Sequence, residues 1–198
     1  MIEFKNISKE LPYVAFKAKY NEAIKAGQKN IEAIAISSYN TKNNQVDSRF
    51  VNLKFIDFKQ FIFFSNYNSP KSIAFDSHKQ ISALIYWPSI NTQIRMKAKI
   101  NRTSREYNVR YFKQRSFKKN ALAISSNQSK PIKSFDHVVR KYENSIKKYT
   151  LSECPDYWGG FSFVPYEFEI WEGSSLRLNK RNFYKKNTSV WSHFILEP

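Results

Sequence analysis

The spacing of apolar side chains changes along the chain, and this change predicts where helix gives way to strand. Near the N-terminus, large apolar residues recur at helical spacing at Tyr13, Phe16, Tyr20 and Ile24. This spacing predicts a helix over 12–26 with one buried face, because positions three or four apart share a side of a helix. Pro12 suits the first helical turn and Gly27 the position after the last. Residues 1–11 are expected to form a loose N-terminal lead-in.

Beyond Gly27 the apolar spacing shortens to every second residue, which is typical of strands. We predict strands over 31–39, 48–57, 61–65, 81–87 and 93–101, the first three forming an antiparallel meander. In the fifth strand, Ile94, Met96, Ala98 and Ile100 alternate with Gln93, Arg95, Lys97 and Lys99. This alternation predicts a sheet with one core face and one polar face. The segments 160–171 and 182–196 are predicted to supply the last strands.

Helices are predicted between these strands. Ser69-Pro70 has the residues of an N-cap and a first turn, and Thr103-Ser104-Arg105-Glu106 has the capping-box pattern. Further helices are predicted over 117–124 and 134–149. Antiparallel strands with inserted helices predict an α+β fold, mainly antiparallel β, of the barrel or sandwich kind, in one domain over 1–198. A Rossmann or P-loop enzyme is disfavoured because the sequence has no Gly-rich phosphate loop.

The charge of the chain favours anionic partners without choosing among them. The 198 residues carry a formal net charge of +17. Nucleic acid, a membrane surface or a phosphorylated small molecule would each suit this charge. Basic residues are spread over nearly every segment, whereas nucleic-acid binders concentrate them on one face or arm.

Other classes of protein are disfavoured by what the sequence lacks. The single cysteine, Cys154, permits no disulfide within one chain and no cysteine-based zinc site. The three histidines His78, His137 and His193 lack metal-ligand spacing, so no metal is expected. No apolar run approaches the roughly 18 residues of a membrane span, and the N-terminus has no signal-peptide core. We therefore expect a cytoplasmic protein with no membrane partner.

The polar side chains at predicted strand and helix edges are mostly hydrogen-bond donors. They are Arg49, Lys54, Lys71, Arg95, Arg115, Arg177 and Arg181, together with Gln93, Gln128, Ser65, Ser129 and Tyr111. Such donors suit phosphates and carbonyl oxygens better than acid–base catalysis. The chemistry would then come from a bound cofactor that the protein orients.

Six segments in this order resemble the pyridoxamine 5'-phosphate oxidase family. They are 48–54, 63–71, 92–95, 110–115, 126–129 and the stretch that runs from Trp158-Gly159-Gly160-Phe161 through Trp171-Glu172-Gly173 to Arg177 and Arg181. The resemblance is collinear from about Phe16 to Pro198. It implies an FMN-binding split β-barrel with peripheral helices. It also implies a homodimer with FMN at the subunit interface.

The resemblance further implies roles for individual residues. Those that match FMN contacts are Arg49, Phe50, Val51, Asn52, Leu53, Lys54, Phe64, Ser65, Lys71, Gln93, Gln128, Ser129, Trp171 and Arg181. Trp171 and Arg181 are expected to reach the FMN of the partner chain. Those that match substrate contacts are Lys54, Tyr111, Arg115, Lys119, Arg177 and Asn179, and the last two also match catalytic positions. The implied reaction oxidises pyridoxamine or pyridoxine 5'-phosphate to pyridoxal 5'-phosphate and reduces dioxygen to hydrogen peroxide.

Four positions depart from the family pattern. Pro70 and Thr92 each stand where arginine is usual, and Lys119 stands near the position of a serine. Asn179 replaces a histidine, and asparagine cannot gain a proton near neutral pH. These departures and the net charge of +17 leave three alternatives open. They are oxidation of another reduced heterocycle such as a phenazine precursor, a non-catalytic flavin-binding homologue and, more distantly, a basic nucleic-acid-binding module.

A structural interpretation also stays open for several of these residues. Phe64 and Trp171 could be core aromatics, and Tyr111 could serve only to pack its helix. Arg115 and Lys119 could be solvated helix charges.

Overall fold

The chain folds around one large, mostly antiparallel β-sheet. The computed structural model describes residues 1–148 and 150–198. In these residues the strands are β1 (Glu3–Lys5), β2 (Ala33–Asn40), β3 (Gln45–Asn52), β4 (Phe55–Asp57), β5 (Gln60–Asn66), β6 (Gln80–Trp87), β7 (Thr92–Arg102), β8 (Trp158–Glu172), β9 (Lys180–Asn187) and β10 (Val190–Leu196). The helices are α1 (Leu11–Lys25), α2 (Pro70–Ser77), α3 (Arg105–Gln114), α4 (Phe117–Ser125) and α5 (Phe135–Lys148). The predicted α+β fold, mainly antiparallel β, is confirmed.

The strand β8 lies at the centre of this sheet. The strand order is β1-β4-β5-β8-β7-β6-β2-β3, and β9 and β10 extend from β8. Along its length β8 pairs with β5 over 158–163, with β7 over 161–172 and with β9 over 167–172. The register with β7 shifts between Lys97 and Ala98, and such a bulge bends the sheet locally. The two halves of the fold are therefore joined through one strand.

The helix α1 packs its aromatic face into the core of the sheet. The ring of Phe16 lies 5.2 Å from that of Phe61 and 5.7 Å from that of Trp87. The predicted helix is confirmed to within one residue at each end. The prediction that Ile24 faces the core is wrong: its side chain is 39% exposed, and Ala23 is buried instead. The buried face thus drifts by one position in the last turn.

Residues 1–11 are not the loose lead-in that the sequence predicts. Glu3–Lys5 forms β1, which pairs in parallel with β4, and Ile2 is buried in the core. The backbone N–H of Ile2 also donates to the hydroxyl of Tyr20 at 3.1 Å. This short segment becomes ordered because it covers the open edge of β4 and satisfies its backbone groups.

The first three predicted strands do not form a meander. The predicted strand 48–57 divides into β3 and β4, because the chain changes partners between Leu53 and Lys54. The N–H of Leu53 donates to the carbonyl of Glu32 at 2.9 Å, whereas that of Lys54 donates to the carbonyl of Ile62 at 2.8 Å. As a result β3 pairs with β2 at one end of the sheet, and β5 pairs with β4 and β8.

The remaining elements follow the sequence closely. The strands predicted over 81–87 and 93–101 and the strands of the C-terminal segments are confirmed, as are the helices predicted after Ser69 and over 117–124. The helix predicted from the capping box 103–106 is also present, but its N-cap is Ser104 rather than Thr103, because the hydroxyl of Ser104 accepts from the N–H of Tyr107 at 3.2 Å. The helix predicted over 134–149 is confirmed to residue 148, and its last predicted residue, Tyr149, lies outside the described residues. No helix in the described ranges combines the length and the apolar character that crossing a bilayer requires.

A pair of glycines lets a buried polar network join α3 to β8. The hydroxyl of Tyr67 donates to the carbonyl of Gly160 at 3.0 Å, and the Asn108 carboxamide accepts from the N–H of Gly160 at 2.8 Å. A Cβ on Gly159 would overlap the Tyr67 hydroxyl and the Asn108 amide. A Cβ on Gly160 would lie 2.5 Å from the hydroxyl of Thr103. Only glycine fits at these two positions, because the side chains of Tyr67, Asn108 and Thr103 approach the backbone of β8 too closely for a Cβ atom.

We expect Gly159→Ala to destabilise the fold by roughly 1–3 kcal/mol, the usual cost of overpacking a rigid buried site. Urea unfolding at fixed protein concentration would measure the change. Ser162→Ala, on the same strand, is the matched control and should shift stability by less than about 0.5 kcal/mol. Equal stability of Gly159→Ala and the parent protein would contradict the close-approach explanation.

Candidate functional site

Two basic side chains, Arg49 and Lys71, lie close together near the end of the sheet that β3 forms. Arg49 on β3 donates from Nη1 to the hydroxyl of Ser38 at 2.7 Å. Lys71 lies in the first turn of α2, and its Nζ donates to the hydroxyls of Ser65 and Ser69, each at 3.3 Å. Three elements that are separate in sequence thus assemble Arg49, Ser65 and Lys71, three residues that resemble FMN contacts.

The charge of this pair is largely uncompensated. Burial, followed by the nearby charge of Arg49, lowers the pKa of Lys71 to about 8. Burial also lowers the pKa of Arg49, although Asp47, 3.9 Å away, opposes this shift. Within the described ranges no carboxylate forms an ion pair with Lys71. Because partly buried cations are costly without a counter-ion, the pair fits a dianionic phosphate group.

The loop 126–130 reaches this basic pair through one of its two predicted cofactor residues. The carboxamide oxygen of Gln128 accepts from the Ser65 hydroxyl at 3.3 Å and from the N–H of Asn66 at 3.4 Å. Ser129 is exposed, with a φ of 65°, and lines a cavity of about 340 Å³ between α4 and α5. The structure therefore brings Gln128 to the pair, and the side chain of Ser129 to a neighbouring surface.

The run 50–54 alternates between solvent and the core. The side chain of Phe50 is 75% exposed, whereas that of Leu53 is fully buried. Asn52 is exposed, and Val51 and Lys54 are half-buried. Because β3 pairs only with β2 in the described chain, its outer edge presents uncovered backbone groups. A flat ligand beside this run would meet that backbone edge rather than the side chain of Leu53.

A stack of aromatic rings forms a wall beneath α3. The ring of Phe64 lies 4.1 Å from that of Tyr111 and 5.1 Å from that of Trp158, and both pairs are stacked. The ring of Phe55 meets that of Tyr111 edge-on at 5.1 Å. Phe64 and Tyr111 thus pack against neighbouring aromatic rings, as expected if they serve a structural role. They also give the predicted substrate residues a rigid support.

Arg115 lies against this wall with one donor group unused. Its guanidinium lies 4.4 Å from the centre of the Trp158 ring, and its Nη2 donates to the carbonyl of Lys119 at 3.3 Å. Its Nη1 is buried without a hydrogen-bond partner in the described structure. Burial lowers the pKa of Arg115. Arg115 is therefore not a solvated helix charge, whereas the side chain of Lys119 is exposed.

Three of the predicted cofactor residues lie in one row across the C-terminal half of the sheet. Gln93 on β7 is the register partner of Trp171 on β8, and Trp171 is the register partner of Arg181 on β9. Directly paired residues project from the same face of a sheet. The row therefore presents an amide, an indole and a guanidinium together on the polar face that the sequence predicts for β7.

The guanidinium of Arg181 is held by a buried carboxylate. Its Nε donates to Oε1 of Glu169 at 2.9 Å, and its Nη1 donates to the carbonyl of Glu197 at 2.7 Å. Arg95 donates to the other carboxylate oxygen of Glu169. Burial alone would raise the pKa of Glu169, but the hydrogen bonds from Arg181 and Arg95 outweigh it and hold this pKa below its usual value.

The two residues that match catalytic positions lie in the loop between β8 and β9. Arg177 is exposed and has a φ of 59°. The carboxamide oxygen of Asn179 accepts from the N–H of Ser174 at 3.2 Å, which closes the loop. Within the described part of a single chain, neither residue hydrogen-bonds to Tyr111 or Arg115. Both follow the C-terminal end of β8, whereas Tyr111 and Arg115 pack against Trp158 at its N-terminal end, so one chain does not bring the predicted substrate residues into one cluster.

Glu169 and Trp158 are not among the predicted site residues, although both lie within the C-terminal motif. Trp158 supports Phe64 and Arg115, and Glu169 binds Arg95 and Arg181. The sequence carries no clear signal for Glu169, because Glu167 and Glu169 alternate with Phe168 and Ile170, and this pattern predicts carboxylates on a solvated strand face. Only the structure shows that Glu169 is buried. A buried carboxylate of this kind needs a cationic partner.

Comparison with known proteins places the chain among flavin-binding split barrels. Residues 158–198 match the model of the pyridoxine 5'-phosphate oxidase C-terminal dimerisation region. In solved structures, the chain is similar to PhzG from Burkholderia lata 383 in complex with tetrahydrophenazine-1-carboxylic acid, with a TM-score of 0.87 and 22% identity, covering 94% of this chain and 92% of that one. It is also similar to a pyridoxamine 5'-phosphate oxidase-related, FMN binding protein from Nostoc punctiforme, with a TM-score of 0.79 and 14% identity, covering 96% and 99%. These structures confirm the predicted split-barrel fold.

Two sequence relatives cover nearly the whole chain. The pyridoxine/pyridoxamine 5'-phosphate oxidase of Coxiella burnetii is 30% identical over 188 residues, covering 94% of this chain and 95% of the relative. Pyridoxine/pyridoxamine 5'-phosphate oxidase 1 of Hydrogenovibrio crunogenus is 31% identical over 192 residues, covering 94% and 88%. On this similarity, the chain belongs to the pyridoxine/pyridoxamine 5'-phosphate oxidase family, whose members are FMN-dependent oxidoreductases.

Proposed function

We propose that this protein is an FMN-dependent oxidase that converts pyridoxamine or pyridoxine 5'-phosphate to pyridoxal 5'-phosphate with dioxygen as acceptor. The observation that carries the proposal is the Arg49–Lys71 pair, two partly buried cations without a balancing carboxylate on Lys71. A cofactor phosphate would neutralise this pair. The names of relatives that span nearly the whole chain support the same reaction.

The residues that would hold FMN fall into two groups. Arg49, Lys71 and Ser65 would bind the phosphate, and Gln128, already bonded to Ser65, would place a carboxamide beside it. The row of Gln93, Trp171 and Arg181 would serve another part of the cofactor. When bound, FMN supplies the acceptor for a hydride equivalent and passes the electrons to dioxygen.

The chain's own contribution is to bind and orient the substrate. Nη1 of Arg115 is a buried donor without a protein partner in the described structure, and a movement of the side chain that exposes this atom would let it bind the substrate phosphate. Tyr111 is fixed by its stacking on Phe64, and Lys54 and Lys119 would add positive charge. Arg177 would hold the substrate ring in place. Orientation by such rigid groups lowers the entropic part of the barrier.

A homodimer is part of this proposal. The match of 158–198 to a dimerisation region supports it. In a dimer, the row of Gln93, Trp171 and Arg181 would meet the partner's basic pair, and the exposed loop around Arg177 would meet the partner's aromatic wall. A second chain would thus complete the site that one chain leaves divided.

A second candidate function is oxidation of a different reduced heterocycle. Its support is Asn179, whose carboxamide oxygen closes the loop between β8 and β9 by binding the N–H of Ser174. A histidine at this position would offer a titratable ring, whereas the asparagine offers a fixed amide. Anaerobic exposure of the flavin-loaded protein to a panel of substrates would decide, because only a true substrate bleaches the flavin absorbance.

The affinity of the protein for FMN should fall as the pH rises above about 8. Lys71 has a pKa of about 8 without a bound anion, and the phosphate binds best when Lys71 is protonated. Above this pH, binding must take up a proton, so the dissociation constant should rise toward about tenfold per pH unit. Between about pH 6 and 8 it should be nearly constant, because phosphate is dianionic above about pH 6. Quenching of FMN fluorescence would measure it.

The matched control for this pH dependence is Lys71→Arg. Its guanidinium stays charged well above pH 10, so its FMN affinity should be flat through the same range. If the parent protein shows the same flat profile, Lys71 does not bind the phosphate.

Loss of the Arg115 side chain should weaken substrate binding more than turnover. A hydrogen bond to a charged group is worth about 1.5–3 kcal/mol, so Arg115→Met should raise the KM for pyridoxamine 5'-phosphate by roughly ten- to a hundredfold. Hydrogen peroxide release by the flavin-loaded protein would give KM and kcat. Lys118→Met, which removes an exposed charge on the neighbouring helix, should leave both within about twofold. An unchanged KM in Arg115→Met would place the substrate phosphate elsewhere.

A further inference from the structure

Glu169 stands out because it is a buried carboxylate in a very basic protein. Only 4% of the residue is exposed, and it is the one acidic residue among the buried polar residues of the described ranges. It lies on β8, with the apolar residues Phe168 and Ile170 on either side. Burying a carboxylate is expensive unless cations and hydrogen bonds compensate it. Its position therefore depends on its two partners.

The two oxygens of this carboxylate each bind a different guanidinium. Oε1 accepts from Nε of Arg181 at 2.9 Å, and Oε2 accepts from Arg95. The carbonyl of Glu197 accepts a hydrogen bond from Nη1 of Arg181 at 2.7 Å. In the part of the chain that the structure describes, Nη2 of Arg181 has no protein partner. The plane of the guanidinium is thus fixed by two bonds while one donor group is left for a ligand.

The cluster stays cationic despite its carboxylate. Arg95 and Arg181 together carry two positive charges against the single negative charge of Glu169. The cluster can therefore still attract an anion while Glu169 orients Arg181. Because Arg181 has a long, flexible side chain, fixing it in advance removes ordering entropy from ligand binding.

We infer that Glu169 is a positioning residue for the cofactor site. It holds the Arg181 guanidinium in the row with Trp171 and Gln93, ready for an anionic or carbonyl-bearing part of FMN. The inference deepens the proposed function and rests on it. Glu169 itself does not touch the cofactor, and its effect passes through Arg181.

The same strand carries a natural control for this role. Glu167, two residues earlier, also lies between two cations, Lys97 at 2.9 Å and Lys185 at 3.8 Å. Neither lysine is a predicted site residue. Glu167→Gln and Glu169→Gln therefore make the same chemical change on the same face of β8, but only one of them involves Arg181.

The test is the FMN dissociation constant of the cofactor-free protein, measured by fluorescence quenching. If Glu169 acted only through its charge, Glu169→Gln would remove a negative charge near an anionic ligand and tighten binding. Positioning predicts the opposite sign, namely a dissociation constant raised by about tenfold, the loss expected for a charge-assisted hydrogen bond. Glu167→Gln should stay within about twofold. The visible circular dichroism of bound FMN should change in Glu169→Gln and not in Glu167→Gln.

A double-mutant cycle with Arg181→Met isolates the pathway of the effect. In the Arg181→Met background, adding Glu169→Gln should change the dissociation constant by less than about twofold, because the group to be positioned is gone. An equal loss in both backgrounds would overturn the inference, as would tighter or unchanged FMN binding by Glu169→Gln alone. Melting curves would show whether each variant folds. Should Glu169→Gln not fold, Glu169→Asp keeps the charge and is expected to weaken binding by severalfold, and unchanged binding would again overturn the role.

The outcome for the parent protein separates this inference from the proposed function. If the parent protein binds no FMN, the proposed function fails, and the inference about Glu169 fails with it. If the parent binds FMN and Glu169→Gln binds it equally well, the proposed function stands and the role of Glu169 alone is overturned.

Discussion

The pairing of β8 with β5, β7 and β9 is the constraint on which the other parts of the structure depend. The N-terminal end of β8 carries Trp158, against which Phe64 and Arg115 pack. It also carries Gly159 and Gly160, which leave room for the side chains that join α3 to the strand. Its C-terminal end carries Glu169 and Trp171, which place Arg181. A change in the register of this strand by one residue would turn both ends to the wrong face. The wall and the row are therefore fixed by one set of backbone hydrogen bonds.

The basic residues of the chain differ in burial and in whether a partner compensates their charge. Many lysines lie at the surface, where an individual charge contributes little to stability. Arg49, Lys71 and Arg115 are different, because burial lowers the pKa of each while the described structure gives Lys71 no ion pair and Nη1 of Arg115 no hydrogen bond. Arg181 is compensated, but only by a carboxylate that it shares with Arg95. Local imbalance of this kind, rather than the net charge, favours bound phosphate over nucleic acid.

The residues predicted to form the site lie in separate parts of one chain. The basic pair lies near the end of the sheet formed by β3, and the row of Gln93, Trp171 and Arg181 lies on β7, β8 and β9. The loop that carries Arg177 projects from the β8–β9 connection. A two-fold dimer brings the same surface of both copies together, and within that surface a part of one copy can meet a different part of the other, twice over.

The sequence by itself determined the periodicity of most elements, and with it the fold class. The alternation along 93–101 fixed which side chains share a face, so the polar row on β7 could be predicted before its partners were known. The resemblance of six segments to the family grouped Arg49, Ser65, Lys71 and Ser129 as FMN contacts, and the structure brings the first three of them together while the side chain of Ser129 lies on a neighbouring surface. The periodicity and the segment motifs depend on residues that are close together in the sequence, so they can be predicted without knowing the tertiary structure.

Only the tertiary structure decided which segments meet. The switch of partners at Leu53 and Lys54, the pairing of β1 with β4 and the hydrogen bond from Arg181 to Glu169 each depend on groups that another segment of the chain contributes. No local period specifies them, because a short apolar segment suits several partners equally well. The choice is set by the requirement that nearly every buried backbone group find a hydrogen-bond partner, and that a buried carboxylate such as Glu169 find a cation, at the same time.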